Sequence, residues 1–72
     1  MSLEADLAAT TGYVTHLRRA IARQLVQVVK LSDVGCSTTD AEGTLQTFRD
    51  TLSVLEGHER HLLKLQQRAA SA

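Results

Sequence analysis

The fold of this chain is decided by residues 32–40, which read Ser32-Asp33-Val34-Gly35-Cys36-Ser37-Thr38-Thr39-Asp40. Turn-forming residues are concentrated here, and the whole sequence of 72 residues contains no proline. Gly35 suits the left-handed backbone conformation that commonly ends a helix. The hydroxyl oxygens of residues 37–39 can accept hydrogen bonds from the free backbone amides at the start of the next helix. The stretch therefore predicts one loop, at about residues 33–38, between two arms of nearly equal length.

The start of the second arm is defined only to within a few residues. Thr39 and Glu42 have the spacing of a capping box, in which each side chain satisfies a backbone amide near the other residue. Ser37 and Asp40 give a similar pair two residues earlier. Both readings predict that a helix begins close to residue 39.

Apolar residues recur in both arms at alternating steps of four and three, the a and d spacing of a helix that packs along its length. We call these positions the seam. In the first arm they are Leu3, Leu7, Thr10, Val14, Leu17, Ile21, Gln24, Val28 and Leu31. In the second arm they are Ala41, Leu45, Phe48, Leu52, Leu55, Glu59, Leu62, Gln66 and Ala69.

The seam predicts an all-α fold, an antiparallel two-helix hairpin similar to a coiled coil. Helix 1 is expected at about residues 4–32 and helix 2 at about residues 39–69, within a single domain, residues 1–72. Gln24 is a polar residue on the seam. The sequence leaves open whether it sets the register of the helices or is tolerated opposite Phe48.

Charge placement favours the same antiparallel arrangement. Residues 16–34 carry a net charge of +3, and residues 37–59 carry a net charge of −4. Folding about Gly35 brings these two segments together. We therefore expect a stripe of basic side chains to form ion pairs with acidic side chains across the hairpin. The stripe is Arg18, Arg19 and Arg23, and the expected partners are Asp40, Glu42 and Asp50.

Composition argues against several classes of function. Eight basic and eight acidic residues cancel, so no overall positive field favours nucleic acid. The sequence has neither an apolar run of the roughly 20 residues that cross a bilayer nor a signal-peptide pattern, and we expect a cytoplasmic protein without a membrane partner. The single cysteine, Cys36, excludes an intrachain disulfide.

His16, His58 and His61 are the best candidates for chemistry. In the antiparallel hairpin His16 is expected near His58, and His61 follows His58 by three residues beside Glu56 and Glu59. A divalent metal could find two nitrogens and a carboxylate there. The spacing is unspecific, however. We expect these histidines to lie on the surface or flanks of the helices without binding a metal or other cofactor.

No enzymatic activity is predicted. Cys36 lies about 20 residues along the helices from the histidines, roughly 30 Å at the rise of an α-helix. The thiol therefore has no base within reach. Two helices alone also cannot close a pocket around a substrate.

Apolar residues extend beyond the seam in both arms: Leu25, Val26 and Val29 in helix 1, and Val54, Leu63 and Leu65 in helix 2. One neighbouring helix hides only a narrow stripe, and a chain this short buries only about 60% of its unfolded surface. We therefore predict a homodimer, in which two hairpins associate in an antiparallel arrangement into a four-helix bundle. Its predicted interface residues are Leu25, Val29, Val54 and Leu63; binding of a different, unknown protein partner is the alternative.

The pattern of Ile21, Gln24, Val28, Leu31, Gly35, Ser37-Thr38, Ala41-Glu42, Leu45, Phe48, Leu52 and His58 resembles a group of short proteobacterial helical-hairpin proteins. Ser37 stands where those proteins commonly have aspartate, and either residue can cap a helix. The resemblance covers roughly residues 16–65 and rests on seam and cap residues. It implies a bacterial origin and a helical hairpin, and it implies no activity.

Taken together, these features predict a non-enzymatic helical interaction or oligomerisation module. One alternative is a small metal- or ligand-binding helical bundle that uses His16, His58 and His61. Another is a small DNA-associated regulator.

Overall fold

The computed structural model of the protein describes residues 2–71 and contains two α-helices in that range. Helix α1 spans Leu3–Asp33, and helix α2 spans Thr39–Ser71. The two helices pack against each other along a molecule that measures 58 × 18 × 14 Å. The predicted all-α helical hairpin is confirmed.

The seam forms the buried face of the hairpin. All nine seam residues of α1 are buried or half-buried, as are the first seven of the nine in α2. Val14 is the most deeply buried, with 1% of its surface exposed. Gln66 and Ala69, the last two seam residues, are exposed, so the buried face of α2 ends before its last turns.

Thr10 is a polar residue on this buried face. Its hydroxyl donates a hydrogen bond of 2.8 Å to the backbone carbonyl of Asp6, one turn earlier in α1. A buried hydroxyl without a partner would be costly. The local bond removes that cost and allows the methyl group of Thr10 to pack in the seam.

The loop begins with a Schellman motif that ends α1. Gly35 has a φ of +75°, its amide donates to the carbonyl of Ser32 at 3.0 Å, and the amide of Cys36 donates to the carbonyl of Leu31 at 2.9 Å. These bonds satisfy carbonyl groups that the end of a helix leaves free. The role predicted for Gly35 is therefore confirmed.

Helix α2 is capped one residue away from the predicted capping box. The amide of Glu42 donates to the carbonyl of Thr38 at 2.8 Å, which makes Thr38 the residue before the first helical position. Thr39 already lies within the helix, so the expected box of Thr39 and Glu42 is wrong. Ser37 instead accepts a long bond of 3.4 Å from the amide of Thr39.

We expect Gly35→Ala to lower the free energy of unfolding by about 1 kcal/mol, because a Cβ atom is disfavoured at positive φ. Gly43→Ala is the matched control. Gly43 lies in α2 with open space around its Cα, so alanine should raise the free energy of unfolding by up to about 1 kcal/mol. Urea unfolding at one fixed protein concentration measures both changes. Equal effects of the two substitutions would contradict this account of the loop.

Candidate functional site

One polar contact on the seam joins the two helices directly. The side-chain amide of Gln24 donates to the backbone carbonyl of Ala41 at 2.9 Å. Gln24 is half-buried and Ala41 is buried, so the bond ties α1 to the first turn of α2 in a partly dry environment. This contact supports the reading in which Gln24 sets the register of the helices.

Two further contacts cross the hairpin on one of its flanks. The hydroxyl of Thr11 donates to Glu59 at 2.9 Å, which gives this half-buried seam carboxylate a partner. Arg18 forms a salt bridge of 2.8 Å with Glu56. Thr11 and Arg18 are seven residues apart and therefore lie on the same side of α1.

Arg18 thus pairs with a carboxylate other than those expected. The predicted partners were Asp40, Glu42 and Asp50, whereas the salt bridge found within residues 2–71 is to Glu56. The basic segment does face the acidic segment as predicted. Exposed pairs of this kind contribute less than about 1 kcal/mol, and the side chain of Arg18 is 59% exposed.

We expect Gln24→Ala to lower the free energy of unfolding by about 1 kcal/mol, because the Ala41 carbonyl loses its side-chain donor and the seam loses packing. Gln27→Ala is the control, since Gln27 is exposed on the same helix and the change in helix propensity is identical. Urea unfolding of both variants measures the difference. If Gln27→Ala is as destabilising as Gln24→Ala, the bond to Ala41 has no role in stability.

The three histidines are all exposed. Within residues 2–71 no three histidine, cysteine, aspartate or glutamate side chains are grouped to hold a metal ion. Glu59, which directly follows His58 in the sequence, accepts a hydrogen bond from the hydroxyl of Thr11. Cys36 is an exposed free thiol in the loop. The structure therefore does not assemble His16, His58 and His61 into a site, and the concave surfaces of the described residues are open depressions.

We expect zinc to leave the melting temperature unchanged at concentrations that do not precipitate the protein. A site whose Kd is one hundredth of the zinc concentration would add about 2.7 kcal/mol to the free energy of unfolding. Thermal unfolding followed by circular dichroism, with and without zinc, measures this. A rise that disappears in His58→Ala would support the metal-binding alternative instead.

The most prominent feature of the outer surface is a set of exposed apolar side chains on α1. Leu25, Val26 and Val29 are 41%, 53% and 57% exposed. Ala22 is also exposed and lies three, four and seven residues before them. At 3.6 residues per turn this spacing places all four on one face. We call this set, Ala22, Leu25, Val26 and Val29, the α1 outer surface.

The α1 outer surface is separate from the seam and has charges at both ends. Its centre lies roughly 120° around α1 from the seam, as follows from 100° per residue. Arg18 and Arg19 lie one turn before it on the same face, and Asp33 lies one turn after it. Arg23 lies within this range, but about 60° beyond Val26 around the helix, so it borders the four apolar positions and does not separate them.

The predicted interface residues do not share one face. Arg18 and Leu25 are seven residues apart, as are Glu56 and Leu63, so the Arg18–Glu56 salt bridge marks a flank that also carries Leu25 and Leu63. Val54 precedes Leu63 by nine residues, which is half a turn around α2. A partner that covers the flank of Leu25 and Leu63 therefore leaves Val54, which is 72% exposed, uncovered.

Ala22 and Tyr13 also belong to the exposed apolar surface of the protein, although the sequence-based interface does not include them. Ala22 completes the α1 outer surface, and its position one turn before Val26 could have revealed this from the sequence. Tyr13 is 63% exposed and lies on the other flank, since it is two residues from Thr11. Nothing in the spacing of apolar residues distinguished Tyr13 from the polar positions around it.

The comparison with protein-family models, curated proteins and solved structures finds no match for this chain. The resemblance to short proteobacterial hairpin proteins therefore stays a prediction. Among the described residues neither helix combines the length and apolar character needed to cross a membrane.

Proposed function

We propose that this chain is a non-enzymatic helical interaction module that associates with a second copy of itself. The observation that carries the proposal is the α1 outer surface, which leaves Leu25, Val26 and Val29 exposed next to one another. Single exposed apolar residues are ordinary on protein surfaces, whereas adjacent ones on one helical face are typical of an interaction site. Two hairpins joined in this way form an assembly of four helices.

The expected dimer is weak. Fully burying a valine or leucine side chain contributes about 1.5–3 kcal/mol, and roughly half of each of these side chains remains to be buried. Three such side chains on each copy then contribute on the order of 6 kcal/mol in total. This gain exceeds only the lower estimates of the entropy cost of association, about 4 kcal/mol. We therefore expect monomer and dimer to exchange reversibly as concentration changes.

Helix α2 offers a less suitable contact. Its outward positions are mostly polar or charged, and include Gln46, Asp50, Arg60 and Lys64, all exposed. Val54 is the large apolar residue among them. Burying a charged side chain without a partner is costly, so the α1 outer surface is the better interface.

Sedimentation equilibrium over a wide concentration range tests the proposal. We expect a monomer–dimer equilibrium that Val26→Glu shifts strongly towards monomer, because a charge would be buried at the contact. Val54→Glu is the matched control, since it makes the same change at an exposed valine in the other helix and should leave the equilibrium unchanged.

Two outcomes would contradict the proposal. One is a species of monomer mass at every concentration, with thermal unfolding independent of concentration. The other is an association that Val26→Glu does not affect, which would exclude the α1 outer surface as the contact. Circular dichroism of both variants shows whether the hairpin itself remains folded.

A further inference from the structure

We infer that the two copies meet through α1 alone, antiparallel, about a two-fold axis that passes between Leu25 and Val26. This inference rests on the proposed self-association and specifies its geometry. It follows from the order of residues along the α1 outer surface and from the charges at its two ends. In the resulting assembly the two α1 helices lie at the centre and the two α2 helices lie outside.

The apolar residues match themselves under this symmetry. In two antiparallel helices related by such an axis, residue numbers at the same level add up to 51. Leu25 and Val26 each lie beside their own counterparts, and Ala22 lies beside Val29 of the second copy. A symmetric contact of this kind uses the same surface on both copies. All four residues of the α1 outer surface are covered, and no polar residue has to be buried at the centre.

The charges select this direction over the parallel one. Arg19 lies one turn before the apolar residues and Asp33 one turn after them, on the same side of the α1 outer surface. The antiparallel pairing places Arg19 of each copy beside Asp33 of the other. A parallel pairing places Arg19 level with Arg19 and Asp33 level with Asp33, so it forms no Arg19–Asp33 pair and aligns like charges at each end of the contact.

Arg19 is the cation available for this contact. Arg18 is already held by Glu56 at 2.8 Å within its own hairpin.

The net charge of the hairpin near its loop also does not oppose the dimer. Residues 16–34 carry +3, but residues 37–59 of the same hairpin carry −4 beside them. The half of the hairpin nearest the loop is therefore almost neutral.

A longer antiparallel overlap is less favourable. Centring the axis between Arg18 and Arg19 would align the helices over more of their length. It would, however, place these two arginines beside their counterparts. It would also set Leu25 and Val29 against the region of Gly12 and Ala8, where the exposed Tyr13 lies on the other flank and the facing surface has no large apolar side chain. The shorter overlap matches both the apolar residues and the charges.

Cysteine cross-linking tests the geometry in a Cys36→Ser background. Val26→Cys should give a disulfide-linked dimer on mild oxidation, because the residue at the axis lies beside its counterpart, within the short Cα separation that a disulfide requires. Ala22→Cys should not link to itself, since the two copies of residue 22 are seven residues apart along the axis, about 10 Å. A mixture of Ala22→Cys and Val29→Cys should form the mixed disulfide.

Every other pattern of disulfide cross-links contradicts the inference and indicates a different contact. Self-linking of Ala22→Cys indicates a parallel contact, and linking of Arg19→Cys in place of Val26→Cys indicates the longer overlap. Linking of Val54→Cys alone indicates a contact through α2. In the first two cases sedimentation still shows a dimer, so the proposed association through α1 stands while its geometry is wrong. A contact through α2 contradicts both the geometry and the α1 contact. A monomer at all concentrations removes both.

A charge exchange provides an independent measurement. Arg19→Glu and Asp33→Lys should each weaken the dimer about 2- to 30-fold, because two exposed pairs per dimer become repulsive. The double variant should restore most of the original Kd. Sedimentation is the readout, because Asp33→Lys also favours the end of α1 within the monomer and would raise the melting temperature regardless. Additive weakening in the double variant would show that Arg19 and Asp33 are not partners.

Discussion

Two helices can bury only the stripe along which they touch, and the rest of this molecule follows from that constraint. In the part of the chain that the structure describes, no third element covers the seam, so most seam residues are half-buried. Among residues 2–71 the buried apolar side chains are those of Val14, Ala41, Leu45 and Leu62. A core this small supplies little of the burial on which stability depends. A partner that covers the exposed apolar residues of α1 would therefore add a larger fraction of the total buried surface than it would in a larger domain.

The polar residues of the seam show how a narrow core tolerates polarity. Thr10 bonds to its own helix, Gln24 to the first turn of the other helix, and Glu59 to a hydroxyl at the edge of the contact. Each bond offsets a desolvation cost that a wholly apolar seam would not incur. The bonds of Gln24 and Glu59 also exist in one register only, since a shift of the helices would leave both side chains without these partners. Polar seam residues can thus fix a register at some cost in stability.

Periodicity was sufficient to predict the helices, the loop and the buried face, because these depend on residue spacing and on the conformational demand at Gly35. It was insufficient where several similar groups compete. Arg18 could reach any of several carboxylates, and its pairing with Glu56 depends on the rotation of the helices about their axes. The N-terminal cap of α2 was displaced by one residue because Ser37, Thr38 and Thr39 are nearly equivalent caps. For the outer surface, a count of apolar residues placed Val54 with Leu63, although the helical angle between them separates the two.

The asymmetry between the two helices bears on what kind of assembly the hairpin can form. A chain with apolar outer surfaces on both helices could bind a new copy at each, and such contacts can continue into open-ended filaments. Among residues 2–71, large exposed apolar side chains are adjacent on α1, while the outward face of α2 carries charged and polar groups around Val54. An α1 contact that is symmetric uses up the same surface on both copies. The proposed assembly therefore closes at two copies, and the polar face of α2 keeps the outside of the dimer from associating further.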